Sequence, residues 1–143
     1  MEQAVRQLFE RYADFFAKSL AGEPDPEEAA TLYAPAFIGA TPVGIVTGKN
    51  DADFLQAMRA GYAYYRSIGT RQMRIRHLHI LRLDDWHCVA SVAWTAVYAR
   101  DDLPETEIDF DVHYMVQMLD GVAKVFGWMS GDEEALLKAR GVV

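Results

Sequence analysis

Residues 105–131 read E-T-E-I-D-F-D-V-H-Y-M-V-Q-M-L-D-G-V-A-K-V-F-G-W-M-S-G. The alternation predicts two long strands joined at Asp120-Gly121, a dipeptide whose tolerance of positive φ suits a tight type I′ hairpin. A two-residue loop sets the register: Leu119 opposite Val122, Gln117 opposite Lys124, Met115 opposite Phe126, His113 opposite Trp128. One face of this ribbon then carries Asp109, Asp111, His113, Met115, Phe126 and Trp128. The other carries Ile108, Phe110, Val112, Tyr114, Val116 and Met118. A charged and aromatic face backed by an apolar one predicts a lined pocket on the first side and a buried contact on the second.

Working outward from the hairpin, the spacing of Val5, Leu8, Phe9, Tyr12, Phe15, Phe16 and Leu20 predicts a first helix over 2–21, stopped by Gly22. Asp25-Pro26-Glu27-Glu28 opens a short second helix that must end near Tyr33, because Pro35 disfavours helix before it. Short strands follow over 36–40 and 44–47, joined by the turn Thr41-Pro42-Val43-Gly44. A third helix starts at Asn50 or Asp51 and runs to about Ser67, with Phe54, Leu55, Met58, Tyr62 and Tyr65 as its inner stripe. Strands over 72–83, 86–100, 105–119 and 122–130 come next. A last short helix is capped by Asp132, with Glu133 and Glu134 read as ordinary first-turn acids. This order predicts an α+β fold, a curved antiparallel sheet with helices packed on one face, as one domain over 1–143.

This order and the Thr41-Pro42-Val43-Gly44 turn, with Gly48 downstream, resemble the nuclear-transport-factor-2-like superfamily. That group includes ketosteroid isomerases, scytalone dehydratase and polyketide-cyclase-like proteins. The resemblance covers nearly the whole chain and bears on fold more than on activity. It would put the steroid isomerase general base at Thr41, the tyrosine donor at Phe15 and the protonated acid at Met115. None of these side chains can perform its assigned role. The resemblance therefore implies a cone-shaped curved antiparallel sheet with helices packed on the concave face, without steroid isomerase chemistry. It also implies that Trp94, Met115, Phe126 and Trp128 lie on the concave side.

The candidate catalytic pair is His113 and Asp111. Two residues apart on one strand, they project the same way with Cα atoms roughly 6.5–7 Å apart, and a His beside a carboxylate in an apolar pocket is a base poised near neutrality. Phe15, Phe37, Thr41, Phe54, Met58, His77, Trp94, Met115, Phe126 and Trp128 are the expected ligand-binding residues. The competing reading is that D-x-D-x-H is simply the solvent face of the ribbon. Pairing across Asp84-Asp85 sets His79 opposite Ala90, His77 opposite Val92 and Ile75 opposite Trp94. His77-x-His79 is one strand away from reach of His113, so no metal and no cofactor are expected.

Composition bounds the function classes. The net charge is −7 with no Lys/Arg-rich run, which argues against nucleic acid. No stretch approaches the ~20 apolar residues of a membrane span, and no secretory h-region opens the chain. Cys88, the one cysteine, reads as a buried thiol. The expectation is a cytoplasmic protein that binds a small apolar molecule, as a homodimer packed through the sheet face 108–118. If it is an enzyme, its reaction is a cofactor-free isomerisation, dehydration or ring closure. A non-catalytic ligand-binding or dimerisation module is the alternative.

Overall fold

A computed structural model describes residues 1–143. The elements are α1 (Glu2–Ala21), α2 (Pro26–Leu32), β1 (Tyr33–Thr41), β2 (Gly44–Lys49), α3 (Ala52–Ser67), β3 (Thr70–Arg82), β4 (His87–Arg100), β5 (Leu103–Leu119), β6 (Val122–Ser130) and α4 (Glu133–Ala139). Local chemistry accounts for the helix starts. The carboxylates of Asp25, Asp51 and Asp132 accept from the backbone N–H of Glu27, Phe54 and Ala135, satisfying amides that a helix start leaves free. No helix is long and apolar enough to cross a membrane.

The six strands form one sheet in the order β2-β1-β6-β5-β4-β3. Contrary to the all-antiparallel expectation, β1 runs parallel to β6, because the chain enters β1 from α2 on the same side as it enters β6. Pro35 is accommodated in β1. Asp120 and Gly121 adopt φ of 52° and 78°, as the tight turn requires, and Leu119 pairs with Val122 and Gln117 with Lys124.

Beyond that point the expected register fails. A bulge at Phe126 pairs Val116 with Val125 and Met115 with Gly127, so Tyr114 rather than His113 lies opposite Trp128. A single inserted residue reverses the faces of everything after it. The β3–β4 hairpin shows the same behaviour. Its connection is one residue longer than expected, giving Arg82 opposite Cys88, His79 opposite Ser91 and His77 opposite Ala93. A bulge at Arg76 then restores Ile75 opposite Trp94.

The helices cover the face of β5 that carries Ile108, Val112, Tyr114 and Val116, all buried, while Asp109, Asp111 and His113 are exposed on the other side. The two faces of the hairpin are thus the reverse of the expectation. The apolar face predicted to form a dimer contact is the floor of the core. Val5, Leu8 and Phe9 of α1, Leu32 of α2, Cys88, Val92 and Trp94 of β4, and Val125 of β6 pack against it. Each large side chain fully buried in this way contributes roughly 1.5–3 kcal/mol.

Candidate functional site

Between the sheet and α1, α3 and α4 lies a cavity of about 370 Å³ with 21 lining residues. It is an aromatic chamber. α1 supplies Tyr12 and Phe16, α3 supplies Phe54, Met58, Tyr62 and Tyr65, and the strands supply Tyr33, Trp94, Tyr98, Phe110, Tyr114 and Trp128. The helical spacing that puts Tyr12 with Phe16, and Phe54 with Met58, Tyr62 and Tyr65, follows from one face of each helix turning inward.

Two pairs of polar side chains in the chamber are joined to one another. Tyr33 Oη donates to Tyr12 Oη at 3.1 Å, and Trp94 Nε1 donates to Tyr114 Oη at 3.2 Å. The rings of Tyr12 and Tyr114 meet edge-on with centroids 5.4 Å apart. Burial pushes the phenols of Tyr33 and Tyr114 well above the ordinary value, and raises Tyr12 as well. Tyr98 is pushed up to about 12 for the same reason. All of these hydroxyls are therefore neutral hydrogen-bonding groups at physiological pH.

Glu133, in the first turn of α4, is the only carboxylate lining the cavity. Loss of solvent raises its pKa above the usual range. Its side chain has neither a hydrogen-bond nor an ion-pair partner; Lys138 of the same helix binds Glu134 instead, at 3.3 Å. The Glu133 charge is felt across the chamber, where it adds to the raised pKa of Tyr12, Tyr65, Tyr98 and Tyr114. A half-buried carboxyl sharing a cavity with neutral phenols can exchange a proton or hold a positive charge, while the phenols can donate to an oxygen.

The expected site residues divide between the two faces. Phe54, Met58, Trp94 and Trp128 line the cavity. Phe37 stands just behind it, with ring centroids 4.5 Å from Phe54 and 5.3 Å from Trp128. Phe15 is buried against Tyr62 outside the lining, with centroids 6.0 Å apart. Thr41 is exposed at the β1–β2 turn, where its hydroxyl accepts from Val43 N.

Asp111, His113, His77, Met115 and Phe126 are on the outer face of the sheet, so the catalytic assignment to Asp111 and His113 is corrected. The side chain of His113 meets Ser91 Oγ through Nδ1 at 2.8 Å, and Asp111 lies 3.9 Å from the Arg76 guanidinium. Phe126 packs edge-on to His87, with centroids 6.3 Å apart. The bulge is the reason: Phe126 and Trp128, two apart and expected on one face, end on opposite faces. No group of three or more His, Cys, Asp or Glu side chains comes together.

The sequence reading missed Glu133 and the tyrosines. Glu133 precedes Leu136 and Leu137 by three and four residues, and that spacing places it on the inward stripe of α4. The sequence expectation puts Tyr12 on the apolar face of α1 and Tyr114 on the dimer-contact face of β5, and gives Tyr33 only as the end of α2; the number of tyrosines at inward positions was the available signal.

A family model described as NTF2-like protein (DUF6841) matches residues 2–133. The chain belongs to this NTF2-like family. Among solved structures, an NTF-2 like protein of unknown function from Shewanella oneidensis MR-1 is 13% identical with a TM-score of 0.67, over 92% of this chain and 98% of that one. A Novosphingobium aromaticivorans protein described as "Putative Scytalone Dehydratase" is 14% identical with a TM-score of 0.65, over 90% and 80% of the two chains. An NTF2-like superfamily protein from Salmonella enterica is 15% identical with a TM-score of 0.61, over 89% and 87%. At these identities the likeness is one of fold. No curated protein matches this NTF2-like chain.

Proposed function

We propose that this chain binds one small, mostly apolar, ring-bearing molecule inside the cone. The supporting observation is the aromatic chamber itself, about 370 Å³, at the small end of the roughly 300–1,000 Å³ typical of small-molecule sites. Trp94 and Trp128 both line it, while Trp86 is 60% exposed at the β3–β4 turn. A Trp86→Phe variant therefore reports on the cavity alone. Saturable fluorescence change with a panel of aromatic and terpenoid compounds is the expected result. No response across the panel, with the cone filled only by its own side chains, would return the chain to a structural module.

A second reading, turnover by cofactor-free proton transfer, is favoured by Glu133 sharing the cavity with the Tyr12–Tyr33 and Trp94–Tyr114 pairs. The carboxyl would carry the proton, and the phenols would donate to an oxygen that gains charge. Isomerisation, dehydration and ring closure fall within this chemistry. Chromatography coupled to mass spectrometry, with NMR of a bound compound recovered after incubation so that products of unchanged mass are also seen, tests it. A change in the compound that is lost in Glu133→Gln supports turnover, and an unaltered compound supports binding alone.

The homodimer belongs to the same proposal, moved to the outer sheet face. There Val89 and Met115, opposite one another across β4 and β5, share a face with Asp109 and Asp111, both of which pair with Arg76. A patch holding both charge signs next to an apolar strip can match a copy of itself across a two-fold axis. Sedimentation equilibrium at micromolar concentration is expected to give twice the 16.1 kDa chain mass, and a monomeric mass would overturn it. A cytoplasmic location also stays with this reading, in keeping with the free, buried thiol of Cys88.

A further inference from the structure

We propose that the cone's ligand is a hydrophobic cation: a small tertiary or quaternary ammonium on an apolar body, its charge held by Glu133 and its body held among the rings. This inference rests on the reading that the cone binds a small molecule, and it names the class.

The lining excludes one sign of charge and invites the other. None of the 21 lining residues is Lys, Arg or His. An anionic ligand would leave water with nothing to neutralise it, which makes carboxylates and phosphates poor occupants. The one ionisable acid is Glu133, and no group of this chain pairs with it. Glu133 is half-buried, so water screens its charge only in part, and a positive group inside the chamber would interact with it more strongly than one in open solvent. A ligand cation would supply the missing partner.

The walls favour the same class. Six tyrosines, three phenylalanines and two tryptophans make up eleven of the lining residues. Aromatic faces attract a cation through their quadrupoles, and the attraction strengthens when water is excluded. The carboxylate's field, which opposes ionisation of Tyr12, Tyr65, Tyr98 and Tyr114, favours positive charge in the space between them. A neutral occupant would use the rings and leave Glu133 more deeply desolvated and still alone.

The pH dependence has a definite sign. The groups facing Glu133 are the phenols of Tyr12 (α1), Tyr65 (α3), Tyr98 (β4) and Tyr114 (β5), all raised and neutral through the neutral range. On α4 itself, Asp132 caps the helix and Glu134 pairs with Lys138. A bound cation favours the carboxylate and lowers the Glu133 pKa from its raised value. Affinity is then full above the free-state pKa and falls as pH drops through it.

The test titrates the Trp86→Phe protein with benzyltrimethylammonium and with neopentylbenzene, which has the same shape with carbon in place of the charged nitrogen. At pH 8 the cation is expected to bind roughly tenfold tighter or better. Its affinity falls on acidification while that of the isostere does not. In Glu133→Gln the cation's advantage shrinks to about twofold, with the isostere binding at least as tightly as to the wild type because no charge is left to desolvate. Equal affinity for the two probes at pH 8, or full cation affinity in Glu133→Gln, overturns the inference and leaves the small-molecule cone standing. Binding of neither probe overturns both. Should Glu133→Gln fail to fold, the wild-type pH series with the two probes decides alone.

Discussion

Trp128 lies flat across Gly39, its Nε1, Cε2 and Cζ2 atoms 2.7, 2.8 and 2.9 Å from the point a β-carbon on Gly39 would occupy. The two residues are partners in the parallel pairing of β1 and β6. Only a residue without a side chain lets the indole settle against the strand and still line the cavity. Gly39→Ala should therefore push Trp128 into the chamber. The expected outcome is a loss of about 1–3 kcal/mol in urea unfolding, with an altered tryptophan emission spectrum in the native state. Unchanged emission would show that the indole does not depend on this contact.

Trp94 and Tyr114 form the hydrogen bond at the sheet side of the chamber. Trp94→Phe removes the donor, leaves Tyr114 Oη without it and opens space in the core. A loss of roughly 1–3 kcal/mol is expected from the unmade bond, with cavity formation adding to it. Tyr114→Phe also breaks the bond and leaves the buried Trp94 Nε1–H without its acceptor, but it removes one oxygen rather than part of an indole, so the smaller cavity should make it the less costly change. Paired urea denaturation curves check the order.

The half-buried Glu133 and the enclosed tyrosines set opposite ends of the pH profile. Glu133 has a folded pKa raised above its unfolded value by loss of solvent. Its contribution is complete below the unfolded pKa and turns into a penalty as pH rises through the folded one. Glu133→Gln should consequently raise the melting temperature of the unliganded protein at pH 7 and leave it unaltered at pH 4. Tyr12, Tyr33 and Tyr114 are likewise raised by burial, so stability is present below the ordinary phenol value and is lost as pH climbs past it. Absorbance at 295 nm should show these phenols ionising only together with unfolding, as one cooperative alkaline step. Gradual ionisation with native circular dichroism retained would contradict it.

On the outer face, His113→Ala and Asp111→Asn should each alter stability by no more than about 0.5 kcal/mol and leave cavity-ligand affinity unchanged within about twofold. Their side chains are exposed and point away from the chamber. Isothermal titration against whichever cavity probe binds provides the check, and a tenfold loss in either variant would place the site on the wrong side of the sheet.

The sequence alone was enough for the element order, because each cue is local. The apolar spacing of α1, the caps at Asp25, Asp51 and Asp132, and the positive-φ turn at Asp120-Gly121 each act within a few residues. It was also enough to bring Phe54, Met58, Trp94 and Trp128 to a common side. It could not decide which face of β5 looks inward, since Asp111 and Tyr114 belong to faces that both alternate cleanly. Only the packing of α1, α3 and α4 against Val112, Tyr114 and Val116 selected one. The bulges at Phe126 and Arg76 escaped for a related reason. A strand of period two carries no local mark of one extra residue, and the insertion is stabilised by contacts on neighbouring strands and helices. Glu133 followed from the same tertiary choice. As a first-turn acid it is ordinary, and it becomes a lone charge in an aromatic chamber only because α4 folds back over the mouth of the sheet.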